Sequence, residues 1–111
     1  MGGGCEIALA CDIRVIANTA TIGLPEIRFG ALSAGGGTQR LPRLVGAGIA
    51  EEMIFSGLPW RPEQAYRVGL VNRVVPAADL MKSREEIARV YLERAAYALK
   101  TAKALINKAW T

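Results

Sequence analysis

Apolar residues in this 111-residue chain change their spacing several times, and each change marks an element. Gly2-Gly3-Gly4 followed by Cys5-Glu6-Ile7-Ala8-Leu9-Ala10-Cys11 predicts a tight turn feeding a short buried helix whose small residues permit close packing. Asp12-Ile13-Arg14-Val15-Ile16-Ala17 alternates and is β-branched at 13, 15 and 16, which predicts a strand. Asn18 to Ala20 turns the chain, and Thr21-Ile22-Gly23 can pair briefly before Pro25. Ile27 to Gly37 reads as a loop held by one hydrophobic contact, Phe29 or Leu32.

From Thr38 a helix is predicted, with Leu41, Leu44 and Val45 at helical spacing and Pro42 tolerable only in its first turn. A second runs from about Ala47 to Phe55, with Ile49, Met53 and Ile54 inward, and Gly57 ends it. Pro62 opens a third that Gly69 terminates. Leu70 to Val75 is a strand stopped by Pro76. Asp79 to about Ala109 then forms one helix, because no proline or glycine interrupts residues 77–111. Its broad stripe comprises Leu80, Ile87, Val90, Tyr91, Leu99, Ala102 and Ile106. Strands alternating with helices place the chain in the α/β class. There are no repeats and no low-complexity linker.

Composition narrows the chemistry. A hydrophobic fraction of 51% and a charged fraction of 22% are ordinary for a globular protein. The net charge of +4 is lopsided: residues 1–55 carry four Lys/Arg against five Asp/Glu, and residues 56–111 carry ten against five. The basic half is interspersed with Glu and Ala, which reads as a solvated helical surface and not as a nucleic-acid patch. Lys100, Lys103 and Lys108 are expected as a solvated basic edge, and Trp60 and Trp110 as packing residues. Histidine is absent, which excludes His-built metal sites and His-based triads, and no metal is expected. Cys5 and Cys11 read as reduced thiols of a reducing compartment. No stretch approaches 18 consecutive apolar residues, so no membrane span is expected. Met1 followed at once by three glycines reads as the middle of a domain.

Two carboxylates stand where a charge is costly. Glu6 is the only ionisable acid or base within an apolar run, and Glu26 closes Ile22-Gly23-Leu24-Pro25 ahead of the glycine-rich segment Gly30 to Gly37. If they converge on one pocket they can divide acid and base duties. Neither glycine cluster is a phosphate loop, since no Lys-Ser/Thr follows and the dinucleotide spacing is missing. Glycines ahead of a helix instead leave backbone N–H groups for an anion, and beside a carboxylate that combination suits an oxyanion hole.

Three blocks carry a resemblance: Gly2-Gly3-Gly4-Cys5-Glu6-Ile7-Ala8-Leu9-Ala10-Cys11-Asp12-Ile13-Arg14, Gly23-Leu24-Pro25-Glu26, and Gly35-Gly36-Gly37-Thr38-Gln39-Arg40-Leu41-Pro42-Arg43-Leu44-Val45-Gly46. With Glu52 to Gly57, Glu63-Gln64-Ala65 and Gly69 to Pro76, they make the chain similar to the enoyl-CoA hydratase/isomerase (crotonase) family over essentially its whole length. The resemblance implies a partial crotonase-like ββα spiral: residues 1–76 would form its second half with the catalytic loops, and 77–111 a C-terminal helical region. It implies hydration of a trans-2-enoyl-CoA to a 3-hydroxyacyl-CoA, with double-bond isomerisation and a non-catalytic fragment as alternatives. Glu6 would help activate water for attack on Cβ and Glu26 would deliver a proton to Cα. Gly3 would give an oxyanion-hole N–H, with Gly2 and Ala34 beside the substrate and water. No cofactor is implied, because CoA enters as part of the thioester substrate. A homo-oligomer (trimer or hexamer) is implied for the intact protein, in the cytoplasm or mitochondrial matrix.

Departures from the family pattern carry expectations too. Relatives commonly read Ile-Pro-Gly-Ala-Gly-Gly-Thr where this chain has Leu32-Ser33-Ala34-Gly35-Gly36-Gly37-Thr38, so a methyl at Ala34 stands near the water site. The Asn-Pro-Pro-like break often found around Glu93 to Leu99 is missing, which predicts a straighter C-terminal helix. The second oxyanion donor and most of the CoA pocket belong to an N-terminal half not among these residues, so the isolated chain is expected to be inactive. Arg40 and Arg43 are expected in surface or subunit salt bridges before CoA phosphates.

Overall fold

The computed structural model describes residues 3–31 and 35–109. Helix α1 (Gly3–Leu9) leads to strand β1 (Val15–Ala17), and a 3₁₀ turn follows at Pro25–Phe29. Helices α2 (Gly37–Val45), α3 (Ala47–Ser56) and α4 (Pro62–Arg67) precede strand β2 (Arg73–Val75). A second 3₁₀ turn, Ala77–Asp79, runs into α5 (Leu80–Leu92) and then α6 (Ala96–Lys108). β1 and β2 pair in parallel, Val15 with Arg73 and Ala17 with Val75, so helices α2 to α4 form the crossover that parallel pairing requires. Ile22 and Trp60 make the brief antiparallel bridge expected near residue 22, through N–H···O bonds of 3.1 and 2.8 Å.

The core gathers one or two residues from each crossover helix. Leu24, Leu41, Met53 and Leu70 are fully buried, with Ala50 and Ala65 filling the closest approaches and Ile16, Ile22 and Val71 below them. Ile49 and Ile54, expected inward, are half-buried beside Met53. Trp60 packs against this cluster, while Trp110 lies outside the described residues. Helix ends follow local chemistry. Gly57 closes α3 with φ +63°, Pro62 starts α4, and Gly69 follows α4 with φ +80°. The Gln64 side chain accepts the Arg61 N–H at 3.0 Å, satisfying a donor that the helix leaves free.

Both strands are shorter than their apolar runs. Arg14 is the reason at both starts. Its guanidinium is buried, with Nε donating to the Leu70 carbonyl and Nη1 to the Cys11 carbonyl, each at 2.6 Å. Its backbone N–H donates to Asn72 Oδ1 at 2.8 Å, and the Asn72 N–H returns a bond to the Arg14 carbonyl at 2.8 Å. Side-chain bonds thus join one backbone bond in fixing residues 14 and 72 just ahead of the two strands.

Several expectations are corrected. Gly3 and Gly4 lie inside α1 and do not form the turn ahead of it. Residues 25–29 are a 3₁₀ turn closed by Gly30 at φ +74°, and Phe29 is 80% exposed, so it makes no loop contact; Leu32 lies outside the described residues. Pro42 sits past the first turn of α2. Its missing donor costs one bond, but the start of α2 is anchored from outside the helix and Leu41 is wholly buried, which offsets the loss.

The helix predicted over 79–109 breaks at Glu93–Ala95 without proline or glycine. Unbroken, it would run about 46 Å straight past the core. Ala95 instead turns extended (φ −64°, ψ 122°), and α6 returns over the loop after α1, where Lys103 Nζ meets Asp12 Oδ2 at 2.7 Å. Lys103 is thus paired across elements and not merely solvated. The predicted stripe is only partly covered: Leu80 and Ile87 are half-buried, but Val90, Tyr91, Leu99, Ala102 and Ile106 stay exposed.

Candidate functional site

Glu6 lies on the first turns of α1, and its side chain is 92% buried by residue area (8% exposed). It points at the start of α2, where the Gly37 N–H donates to Oε2 at 2.9 Å. An N-terminal amide has no partner within its own helix, and the positive end of the helix dipole lies behind it. A buried carboxylate oxygen thereby accepts a hydrogen bond from a group thirty-one residues away in sequence.

Glu26 is the second residue of the 3₁₀ turn that Pro25 starts. Its carbonyl accepts the Ala31 N–H at 3.0 Å, which folds the turn back and leaves the side chain half-buried. Cys5, next to Glu6 in α1, is buried and feels both acids. Burial pushes its thiol from the usual 9.0 up to about 11, with the Glu26 and Glu6 carboxylates adding to the rise and the Gly23 backbone opposing it. Both carboxylates therefore lie within electrostatic range of one sulfur.

Gly3, the first residue of α1, is exposed, and no atom lies within 4 Å of where its Cβ would stand. Its N–H has no carbonyl partner available within α1. Gly2 and Ala34 lie outside the described residues, as do residues 32 and 33 of the loop between Glu26 and α2. Arg40, on the outer side of α2, folds back so that Nη1 donates to the Gly35 carbonyl at 3.3 Å. Arg43 is exposed and shows no ion pair among the described residues.

Sequence reasoning overlooked the Gly37 amide and the electrostatic link of Cys5 to both acids. The signal for Gly37 was available, because a glycine run ahead of a helix offers free amides at Gly35 to Gly37 as well as at Gly2 to Gly4. Nothing in sequence said that one run would meet the carboxylate of the other. Among the described residues no group of three or more Cys, Asp or Glu side chains could hold a metal ion. No described helix is long and apolar enough to cross a membrane.

The family model for enoyl-CoA hydratase/isomerase matches residues 1–111. The chain is 45% identical over 108 residues to a short-chain-enoyl-CoA hydratase of Clostridium acetobutylicum, covering 97% of this chain and 41% of that protein. It is 41% identical over 108 residues to a crotonyl-CoA hydratase of Syntrophomonas wolfei, covering 97% of this chain and 42% of that protein. Among solved structures, DspI of Pseudomonas aeruginosa superposes with a TM-score of 0.94 at 42% identity, over 98% of this chain and 42% of that one. The chain spans about two fifths of the length of the curated relatives it matches. The superposition bears out the expected partial crotonase-like fold.

Proposed function

We propose that this chain, which belongs to the enoyl-CoA hydratase/isomerase family, supplies the paired carboxylates with which the intact protein adds water to a trans-2-enoyl-CoA. The reading rests on one observation: Glu6 is buried yet held by the Gly37 amide at 2.9 Å, next to a cysteine whose thiol also feels the charge of Glu26. A carboxylate oriented by an amide at a helix N-terminus is placed to take a proton from water. The water oxygen bonds to Cβ as its proton passes to Glu6. The displaced π electrons move toward the thioester oxygen, and Glu26 then gives a proton to Cα. Gly3 offers its N–H to that oxygen, with Gly2 and Ala34 beside the substrate and water. CoA takes part only as the carrier of the acyl group.

Retention of a held Glu6 favours hydration over double-bond migration, which Glu26 could serve alone. A second reading, a non-catalytic fragment that persists only by packing against a full-length partner, draws on Ile7 at 72%, Leu92 at 83% and Tyr97 at 80% exposure. Both readings agree that the 111-residue chain alone turns over little substrate, since one missing oxyanion donor costs about 10²–10³ in rate. Assembly into a trimer or hexamer is part of the same proposal, as is a cytoplasmic location, which the bacterial sources of the relatives favour over a mitochondrial matrix. The test is crotonyl-CoA hydration, followed by loss of enoyl absorbance, in the intact protein carrying Glu6→Gln or Glu26→Gln. Each is expected to lower kcat at least about a hundredfold. Near-normal kcat in both variants would overturn the assignment.

A further inference from the structure

Three consecutive glycines, Gly35 to Gly37, lead into α2, and the last of them donates its N–H to Glu6 Oε2 at 2.9 Å. Glycine backbone is freer than that of any other residue, so an amide within such a run keeps one direction only where other groups restrain it. The N-cap, Gly36, has no side chain with which to cap the helix and sits at φ +106°, in the left-handed region. Arg40 supplies a restraint. Its backbone N–H makes a helical bond to the Gly36 carbonyl at 2.8 Å, and its side chain folds back so that Nη1 donates to the Gly35 carbonyl at 3.3 Å. The guanidinium occupies the space that the absent side chain of Gly36 leaves: a Cβ built there would collide with Nη1 and stand 3.1 Å from Cζ. A cation at a helix N-terminus meets the positive end of the dipole, so this placement needs compensation. The Gly35 carbonyl supplies part of it, and the Glu6 carboxylate lies beside the same glycine.

We propose that Arg40 is a positioning residue: its guanidinium fastens the Gly35–Gly36 turn and thereby keeps the Gly37 amide aimed at the Glu6 carboxylate. The inference rests on the reading of Glu6 as the group that receives the proton from water. It requires only the backbone carbonyl of residue 35, which the alanine of the common family pattern would offer equally, and a glycine at 36, which that pattern keeps. Arg40 acts on the reaction through this turn and not by touching substrate. Without the guanidinium the glycines regain other conformations, the Gly37 bond is made for less of the time, and Glu6 is no longer held in one orientation.

The test uses the intact protein. Arg40→Met keeps the stem and removes the guanidinium; the residue is exposed, so Tm should stay close to the parent's. Hydrogen exchange at the Gly37 amide should speed up about threefold or more. kcat for crotonyl-CoA hydration should fall about five- to tenfold with KM held. Arg43→Met removes an equal charge from the same helix and should leave exchange and kcat at parent values. A double-mutant cycle separates positioning from a general loss: Arg40→Met should lower kcat beside Glu6 and be close to silent in a Glu6→Gln background. Parent values of Gly37 exchange and kcat in Arg40→Met would overturn the proposal. Equal losses from Arg43→Met, or equal fold-losses in both Glu6 backgrounds, would do the same. If Glu6→Gln alone leaves kcat intact, the hydration reading fails, while exchange at Gly37 still decides whether Arg40 holds the turn.

Discussion

Arg14 joins parts of the chain that are far apart in sequence, and its removal has a calculable consequence. Arg14 is 9% exposed, and its guanidinium holds the Leu70 and Cys11 carbonyls at 2.6 Å each. Cys11 lies just beyond α1 and Leu70 just before β2, so one side chain couples the helix that carries Glu6 to the strand pair. Burial lowers the proton affinity of this guanidinium. In Arg14→Met the stem volume is kept while both charged donors vanish. Two hydrogen bonds from a charged group are worth about 1.5–3 kcal/mol each. Release of a desolvated charge returns part of that, which leaves an expected loss of about 2–4 kcal/mol. Urea unfolding followed by circular dichroism measures it, with exposed Arg43→Met as a control expected within about 0.5 kcal/mol of the parent. A loss below about 1 kcal/mol for Arg14→Met would show that the clamp contributes little and that β1 and β2 hold their register unaided.

Stability should also fall at high pH through Cys5. Its folded thiol ionises near 11 instead of 9.0, so between those values the unfolded chain loses the proton first and binds fewer protons than the native one. The sign is therefore destabilising as pH rises from 9 toward 11, by about 2–3 kcal/mol in all, and Cys5→Ala should remove that slope from pH-dependent unfolding curves. In the native protein, exposed Cys11 should react with iodoacetamide at pH 8 well before buried Cys5, and peptide mass mapping reads the order directly. Met53→Ala empties a fully buried site at the centre of the core and should cost about 2–5 kcal/mol in denaturant melts.

Much of the architecture was legible because its signals are local. Pro62 and Gly69 bound α4, Gly57 ends α3, and Pro76 stops β2 for reasons of φ and hydrogen bonding that any short peptide would share. The acids were legible too, since Glu6 and Glu26 each interrupt apolar surroundings in blocks that a whole family shares. Pro42 was misjudged because the rule for proline considers one helix alone, whereas the start of α2 is fastened by Glu6 from another. The break at Glu93–Ala95 carries no breaker residue, and its cause is what α6 reaches on returning, not what residues 93–95 are.

Taken alone, the sequence determined the order and ends of most helices, the two strand segments and the identity of the two acids. Those follow from steric and hydrogen-bond preferences within a few residues. Tertiary structure alone decided that Glu6 rests on the α2 N-terminus and that Arg14 ties α1 to β2. Each is a contact of ångström dimensions between residues about thirty or more positions apart, and its geometry exists only once the core has closed.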